Sequence, residues 1–249
     1  MKCLIAVPCD YERRLEVRDW VEKKWAKWEM DGHCLPFGLD HGRTDPVWNM
    51  QLAYGFSKDK GHEAIAYLHS DVEIYEEGWL ERCLGEFADP KVGVVGFGGA
   101  TRLGHTDLYK IPYQLQQLAR FDYHSNTVDA DFHGARCDGA MDVATLDGFC
   151  LIVRRELLDQ MGGWPTDKIQ FHNYDNALCC YARRFGWKVR MVGVSCKHLG
   201  GGHSVKARWQ ERCVEDFGMT DSEIHERSHL FLYNEFRDVL PMEVGEVKP

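Results

Sequence analysis

The strongest constraint on the fold is a short apolar run, residues 64–68, that stops abruptly at a group of polar side chains. The run AIAYL has the length and composition of a buried strand, and the residues HSDVE follow it directly. If the chain stays extended there, side chains alternate between two faces, so His69, Asp71 and Glu73 lie on one side. Three groups able to bind a metal or exchange a proton would then project from the carboxyl end of the strand. In open α/β sheets, ligands bind at that edge.

The composition is that of a soluble protein with a single α/β domain. Hydrophobic residues make up 44% and charged residues 28% of the 249 residues, and no apolar run approaches the ~20 residues that a membrane helix needs. The first apolar run meets Asp10 too early for a signal peptide, which favours a strand. The ten cysteines form no C-x-x-C pair, so we expect free thiols and a cytoplasmic protein. The net charge of −9 argues against a broad grip on nucleic-acid phosphates.

Strand patterns alternate with helix patterns along most of the chain, as in an α/β domain. Only residues 101–141 lack a regular pattern, as is typical of a lid, a binding segment or a disordered loop. The predicted strands cover residues 3–7, 34–39, 64–68, 92–97, 143–154 and 188–196, the last of these being the final strand. The predicted helices cover residues 15–30, 47–58, 76–87, 174–185, 204–219 and 221–240.

The polar residues after residue 68 resemble a motif of a known family. The string LHSDVE, followed by GWLE at 78–81, resembles the metal and sugar-nucleotide motif of family-2-like GT-A glycosyltransferases, in which a DxD or DxH pair ends a strand. His69 stands where the first Asp would be, so the metal pair could involve His69 with Asp71, or Asp71 with Glu73. The same string is similar to the LDSHCE string of the polypeptide N-acetylgalactosaminyltransferases.

Later segments extend the resemblance in the family's order. Asp147-Gly148 before an apolar strand is similar to the family's element beside the donor sugar and acceptor, which we favour over the alternative of an Asx turn that closes a β-bulge. The turn GGW at 162–164 resembles the one that precedes the catalytic acid, which points to Asp175. An Asp in the first turn of a helix is also favoured by the helix dipole alone.

The resemblance also implies a third metal ligand and a nucleotide site. A histidine ends the corresponding strand in many members, which indicates His198, with His203 as a second candidate beyond three glycines. Asp40, at the end of the second predicted strand, would bind the nucleobase or ribose, unless it only caps the following turn. The implied contacts to the sugar nucleotide are Pro8, Asp40, Ser70, Asp71, Asp147 and Gly148.

Together the motifs imply a GT-A domain over residues 1–205, with a Rossmann-like, mostly parallel sheet and helices on both of its faces. They also imply a C-terminal helical extension, 206–249, packed on that domain. The implied reaction moves a sugar from a nucleoside diphosphate, UDP being our guess, to a hydroxyl of a glycan, lipid, protein or modified nucleobase. Asp71, His198 and one of His69 or Glu73 would hold Mn²⁺ or Mg²⁺, the mixed ligands suiting Mn²⁺ better.

Asp175 as general base implies inversion at the anomeric carbon. Retention stays open, because the resembling N-acetylgalactosaminyltransferases retain configuration. Two alternatives to a transferase also stay open, a metal-dependent sugar-nucleotide hydrolase and a non-catalytic binding module on the same fold. A homodimer through the C-terminal helices is a further possibility.

Overall fold

The centre of the fold is a seven-stranded sheet. The computed structural model describes residues 1–10, 19, 31–37, 45–104, 120–128, 134–199 and 207–244. Its strands are β1 (Cys3–Asp10), β2 (Asp31–Phe37), β3 (Ala64–Leu68), β4 (Val72–Ile74), β5 (Val92–Gly96), β6 (Gly98–Leu103), β7 (Arg120–Ser125), β8 (Ala140–Asp142), β9 (Thr145–Leu146), β10 (Cys150–Arg154), β11 (Lys188–Val192), β12 (Cys196–His198) and β13 (Met242–Glu243).

Most strands of this sheet run in the same direction. The strand order is β2-β1-β3-β10-β5-β11-β8. β1 is parallel to β2 and β3, and β5 is parallel to β11. β10 runs antiparallel to both β3 and β5, so those two share a direction, and β8 is antiparallel to β11. The expected mostly parallel α/β sheet is confirmed.

Alternation along the strands explains why both faces of the sheet are buried. Leu4 and Ala6 of β1 pack in one apolar layer, whereas Ile5 and Val7 pack in the other. β3 divides in the same way, and all five of its residues are buried. Continuous apolar runs are what a strand covered on both faces requires.

Helices cover the two faces. They are α1 (Pro46–Asp59), α2 (Trp79–Gly85) continued by a 3₁₀ turn (Glu86–Ala88), α3 (Arg155–Met161), α4 (Tyr174–Arg184), α5 (Ala207–Phe217) and α6 (Asp221–Glu235). Four of the predicted helices correspond to α1, α2, α4 and α6, and a fifth to α5. The helix predicted over residues 15–30 lies outside the described residues, apart from residue 19.

Three sequence-based predictions about strands are wrong. Residues 101–141 are expected to be irregular, but their described part contains three of the six residues of β6, all of β7 and two of the three residues of β8. β6 and β7 pair with each other in a small sheet that also includes β13 and β9. The strand predicted over 143–154 is interrupted between β9 and β10, and β11 is not the last strand. These short strands are stabilised by neighbours distant in sequence, which a local pattern does not reveal.

The sheet brings the ends of several strands to one edge. Leu68, the last residue of β3, pairs with Cys150, the first residue of β10. Gly96 at the end of β5 pairs with Leu151 of β10 and with Met191 near the end of β11. The segments that leave or enter the sheet here are therefore neighbours, as the carboxyl edge of a parallel sheet requires.

Candidate functional site

The polar group after β3 forms a tight turn rather than a continued strand. The Val72 amide donates to the His69 carbonyl oxygen at 3.4 Å, and the His69 amide donates to the Phe149 carbonyl oxygen at 3.0 Å. The expectation of an extended chain with three side chains on one face is therefore wrong. His69 and Asp71 still converge, because the turn folds both toward the sheet edge.

Three side chains with metal-ligand atoms meet at this turn. His69 Nδ1 lies 3.4 Å from His198 Nε2, and Asp71 Oδ1 lies 3.4 Å from His198 Nε2 and 3.9 Å from His69 Nδ1. Neighbouring ligands of an octahedral ion bound at ~2.1 Å are about 3 Å apart. Within the described residues, this is the one group of three such side chains whose ligand atoms lie within 4.8 Å of one another. A small shift of each side chain would fit one divalent cation.

A short antiparallel pair of strands delivers His198 to this group. β12 pairs with β4 so that His198 lies opposite Val72, and the Leu199 amide donates to the Asp71 carbonyl oxygen at 2.9 Å. The ring of Phe149 stacks on the His198 imidazole with centroids 5.0 Å apart. Main-chain pairing and stacking together orient the imidazole toward Asp71.

The charges of this group suit a cation. Burial opposes ionisation of Asp71, but the hydrogen bond and charge of His198 prevail and lower the pKa of Asp71 to about 2. Burial, followed by repulsion from His198, lowers the pKa of His69 below its usual value, against the opposing pull of Asp71. At neutral pH the group thus includes a carboxylate and a neutral imidazole, which are the forms that bind metals.

Glu73 lies outside this group. Its carboxylate accepts a hydrogen bond from the Tyr75 hydroxyl at 2.7 Å, and Glu73 pairs with Lys197 across the β4–β12 ladder. The turn at residues 69–71 breaks the alternation of side chains between two faces, so Glu73 does not share a face with His69. The geometry brings His69, rather than Glu73, to Asp71 and His198.

A second polar cluster is built around two carboxylates and an arginine. Arg120 of β7 donates to Asp175 Oδ2 and, at 3.2 Å, to Asp147 Oδ2. The Gly148 amide donates to Asp175 Oδ2 at 3.0 Å, and the Asn176 amide donates to Asp175 Oδ1 at 2.8 Å. Both carboxylates predicted from sequence therefore belong to one cluster.

The two carboxylates differ in exposure. The Asp147 side chain is 34% exposed and that of Asp175 is 13% exposed. Burial works against the positive charge of Arg120, but attraction by Asp175 and Asp147 prevails and raises its pKa above the usual value. Sequence reasoning missed Arg120, because no pattern marks an arginine in a segment that was expected to be irregular.

The other residues that were predicted from the sequence have different surroundings. Pro8 is buried in β1, and Ser70 is half-buried in the turn between His69 and Asp71. Gly148 separates Asp147 from Phe149, and its carbonyl oxygen accepts from the Tyr174 hydroxyl at 3.1 Å. Asp40 and His203 lie outside the described residues.

Comparison with solved structures shows which class of protein has this fold. GalNAc-T7, solved with UDP, GalNAc and Mn²⁺, aligns with a TM-score of 0.53 at 8% identity, covering 96% of this chain and 57% of that chain. The catalytic domain of Drosophila β1,4-galactosyltransferase 7, solved with xylobiose, aligns with a TM-score of 0.50 at 16% identity, covering 80% and 71%. The fold is the GT-A fold of glycosyltransferases.

A family model matches the sequence itself. Residues 58–232, more than half of the chain, match the model described as a glycosyltransferase-like family. The chain belongs to this family. No protein with a curated description matches the sequence. In the part of the chain that the structure describes, no helix has the length and apolar character needed to cross a bilayer.

Proposed function

We propose that the protein transfers a sugar from a nucleoside diphosphate to an acceptor hydroxyl, with a divalent cation held by His69, Asp71 and His198. The convergence of these three side chains at the carboxyl edge of the sheet carries the proposal. They come from positions up to 129 residues apart, and a structural role alone would not require an imidazole–carboxylate–imidazole group at the edge where ligands of α/β proteins bind.

The chemical need for such a group follows from the reaction. Negative charge grows on the departing diphosphate while the anomeric carbon becomes oxocarbenium-like, as in glycoside hydrolysis. A divalent cation, when bound, would stabilise that charge as a Lewis acid. His69, Asp71 and His198 would hold the cation, and the mixture of imidazole and carboxylate ligands favours Mn²⁺ over Mg²⁺.

Asp175 is our proposed general base, with Asp147 as a contact for the acceptor or the donor sugar. Arg120 holds both carboxylates in one orientation, and Gly148 adds a main-chain donor to Asp175. A fixed carboxylate beside a more exposed one supports a shared acceptor pocket. Proton transfer from the acceptor hydroxyl to Asp175 leads to inversion, whereas retention would need a different role for this carboxylate.

For the sugar donor, we propose UDP as the nucleotide to test first. The likeness to GalNAc-T7, which was solved with UDP and Mn²⁺, motivates that choice. The polar cluster of Asp147 and Asp175 suits a hydroxylated acceptor. The chemical class of that acceptor is to be identified by experiment.

A thermal-shift experiment tests whether the protein binds a nucleotide together with Mn²⁺. The protein is melted with UDP, GDP, CDP and ADP, each with and without Mn²⁺, because a specific ligand stabilises the folded state by mass action. We expect one nucleotide to raise the melting temperature only with Mn²⁺, and Asp71→Ala to abolish that shift. Glu73→Gln is the matched control and should keep it, because Glu73 lies outside the ligand group.

The two alternatives give different results in an activity assay with the matching sugar nucleotide. A hydrolase would release free sugar from the matching sugar nucleotide without an acceptor and would not form a new glycosidic bond. A binding module would show the Mn²⁺-dependent shift with no turnover, and Asp175→Asn would change nothing. Transfer to an added acceptor with loss of activity in Asp175→Asn supports the transferase.

We also propose that residues 206–249 pack on the domain formed by residues 1–205. Leu232, Phe236 and Leu240 belong to the same apolar cluster as Leu4 of β1 and Leu178 of α4. An apolar layer shared by the C-terminal helix and the central sheet supports one cooperative unit.

A further inference from the structure

Tyr174, the first residue of α4, connects the two polar clusters. Its hydroxyl lies 2.6 Å from His69 Nε2 and donates to the Gly148 carbonyl oxygen at 3.1 Å. The side chain is buried and meets the Trp164 ring edge-on at 6.3 Å. One phenolic oxygen therefore contacts both a residue of the proposed cation site and the segment that holds Asp175.

The direction of these two hydrogen bonds follows from the number of protons. A carbonyl oxygen can only accept, so the single hydroxyl proton of Tyr174 goes to Gly148. The same oxygen must then accept the bond from His69, which places the ring proton of His69 on Nε2. In a neutral imidazole the other nitrogen, Nδ1, keeps its lone pair. This nitrogen is the one that faces Asp71 and His198.

We propose that Tyr174 is a positioning residue that fixes the His69 tautomer whose Nδ1 lone pair points into the cation site. The inference rests on the proposed function, since it gives that lone pair a cation to bind. Metal-binding histidines are usually oriented by an acceptor on their second ring nitrogen. In this chain the acceptor is a phenol, whose own proton is committed to a main-chain carbonyl.

The absence of a side chain at residue 148 makes this arrangement possible. A Cβ atom there would lie 2.3 Å from the Tyr174 hydroxyl oxygen, far inside van der Waals contact. The Gly148 amide donates to Asp175 at the same time. Gly148 thus joins the phenol that orients His69 to the carboxylate of the second cluster.

The test measures the tautomer and the cation affinity separately. The variant is Tyr174→Phe, which keeps the ring and removes the hydroxyl, and the control is Tyr181→Phe on the same helix, where the ring packs against Phe236 at 4.7 Å. The protein carries ¹⁵N-labelled histidine, and its ring nitrogens are observed by NMR without metal at pH 8. The spectrum of His69→Gln assigns the His69 signals. Mn²⁺ affinity is measured by electron paramagnetic resonance of free Mn²⁺.

We expect His69 of the unsubstituted protein to carry its proton on Nε2, and Tyr174→Phe to give a mixture of tautomers. The Mn²⁺ dissociation constant should rise about 10- to 100-fold in Tyr174→Phe, as for other residues that orient a metal ligand. Tyr181→Phe should change neither the His69 tautomer nor the Mn²⁺ dissociation constant. Gly148→Ala should weaken Mn²⁺ binding with Tyr174 present, because its methyl group displaces the phenol.

Each other outcome is decisive. A proton on Nδ1 in the unsubstituted protein, or a Tyr174→Phe variant with unchanged tautomer and affinity, overturns the inference. A third outcome separates the two proposals: the unsubstituted protein has the expected tautomer, Tyr174→Phe disturbs it, and neither protein binds Mn²⁺. In that case Tyr174 does position His69, but the proposed cation site is wrong. Circular dichroism confirms that each variant is folded before it is compared.

Discussion

At the scale of single residues, main-chain hydrogen bonds and exposure distinguish the two carboxylates of the proposed acceptor pocket. Asp175 accepts from Arg120, from the Gly148 amide and from the Asn176 amide. Asp147 accepts from Arg120 at 3.2 Å and from the Tyr123 hydroxyl at 3.4 Å, and it is the more exposed of the two. Asp175 is thus held in place by main-chain groups, whereas Asp147 presents more of its surface to a ligand.

This difference predicts separate kinetic effects for two amide substitutions. Asp175→Asn should lower kcat by about 10²- to 10⁴-fold, because an amide cannot accept the proton of the acceptor hydroxyl. Asp147→Asn should mainly raise the KM for the acceptor. Steady-state kinetics with an acceptor that the protein glycosylates would check both. Equal losses of kcat in the two variants would contradict the assignment of Asp175 as base.

At the scale of elements, the link between β11 and β12 decides where His198 lies. Gly193 in this link donates from its amide to the Gly139 carbonyl oxygen at 2.9 Å. Its own carbonyl oxygen accepts from Asn126 Nδ2 at 2.9 Å and from Arg82 at 3.0 Å. A Cβ atom on Gly193 would lie 1.6 Å from the Cys137 carbonyl oxygen. The link therefore passes through a gap that only glycine fits.

Gly193→Ala should destabilise the protein by about 1–3 kcal/mol, the usual range for a group forced into a packed site. The matched control is Gly139→Ala, since a Cβ atom there meets nothing within 4 Å. Urea denaturation would give the free energy of unfolding of each variant. We also expect Gly193→Ala to weaken Mn²⁺ binding, since β12 must shift with the link. An unchanged free energy of unfolding would show that the gap is not tight.

A histidine cluster joins α6 to the loop that precedes α4. The rings of His172 and His225 lie 4.7 Å apart, and those of His225 and His229 lie 4.3 Å apart. His172 also binds Asp221 at 2.7 Å. Burial and repulsion from the other two histidines lower the pKa of His225 to about 4, and burial lowers that of His229. Protonation of His225 and His229 therefore opposes folding.

The sign of the pH dependence follows from these lowered pKa values. In the unfolded chain a histidine titrates near pH 6.5, so the folded state binds fewer protons below that value and loses stability as the pH falls toward about 4. The melting temperature should fall between pH 7 and pH 5, and His225→Gln should reduce this fall. Glu226→Gln on the exposed side of α6 is the control and should keep the original slope. Equal slopes in His225→Gln and the unsubstituted protein would contradict the interpretation.

At the scale of the whole molecule, the C-terminal helix belongs to one of the two apolar layers of the central sheet. Phe236 is fully buried and contacts the Tyr181 ring edge-on at 4.7 Å. Arg184 of α4 also pairs with Glu235 and Asp238 near the end of α6. In the same stretch, Lys188 pairs with Asp89, and Arg190 pairs with Glu86 and Asp142.

If the C-terminal helix belongs to one cooperative unit, loss of its buried ring should lower the stability of the whole domain. Phe236→Ala should cost about 3–5 kcal/mol, the range for a buried aromatic truncated to alanine. Asn234→Ala, at an exposed position nearby, should have little effect. Urea denaturation followed by near- and far-ultraviolet circular dichroism should give one coincident transition. Two separate transitions in Phe236→Ala would indicate an independent C-terminal unit.

The local sequence determined the central strands, most of the helices and the family. Apolar runs such as those of β3 and β5 have no exposed face, so burial in the middle of a sheet is the arrangement that satisfies them. The GT-A fold and the involvement of His69, Asp71 and Asp175 in polar clusters followed from motifs a few residues long. These features depend on neighbours in the chain, which is why they could be predicted.

The tertiary structure decided between the alternatives that the sequence left open and added residues that no motif marks. His198 reaches Asp71 because β12 pairs with β4, and Glu73 is left out because the chain turns at residues 69–71. Arg120 and Tyr174 carry no local signal, and their roles arise from contacts 55 and 105 residues away. Such contacts exist only once the whole sheet has formed, because loop closure over those distances must be offset by the burial of both apolar layers.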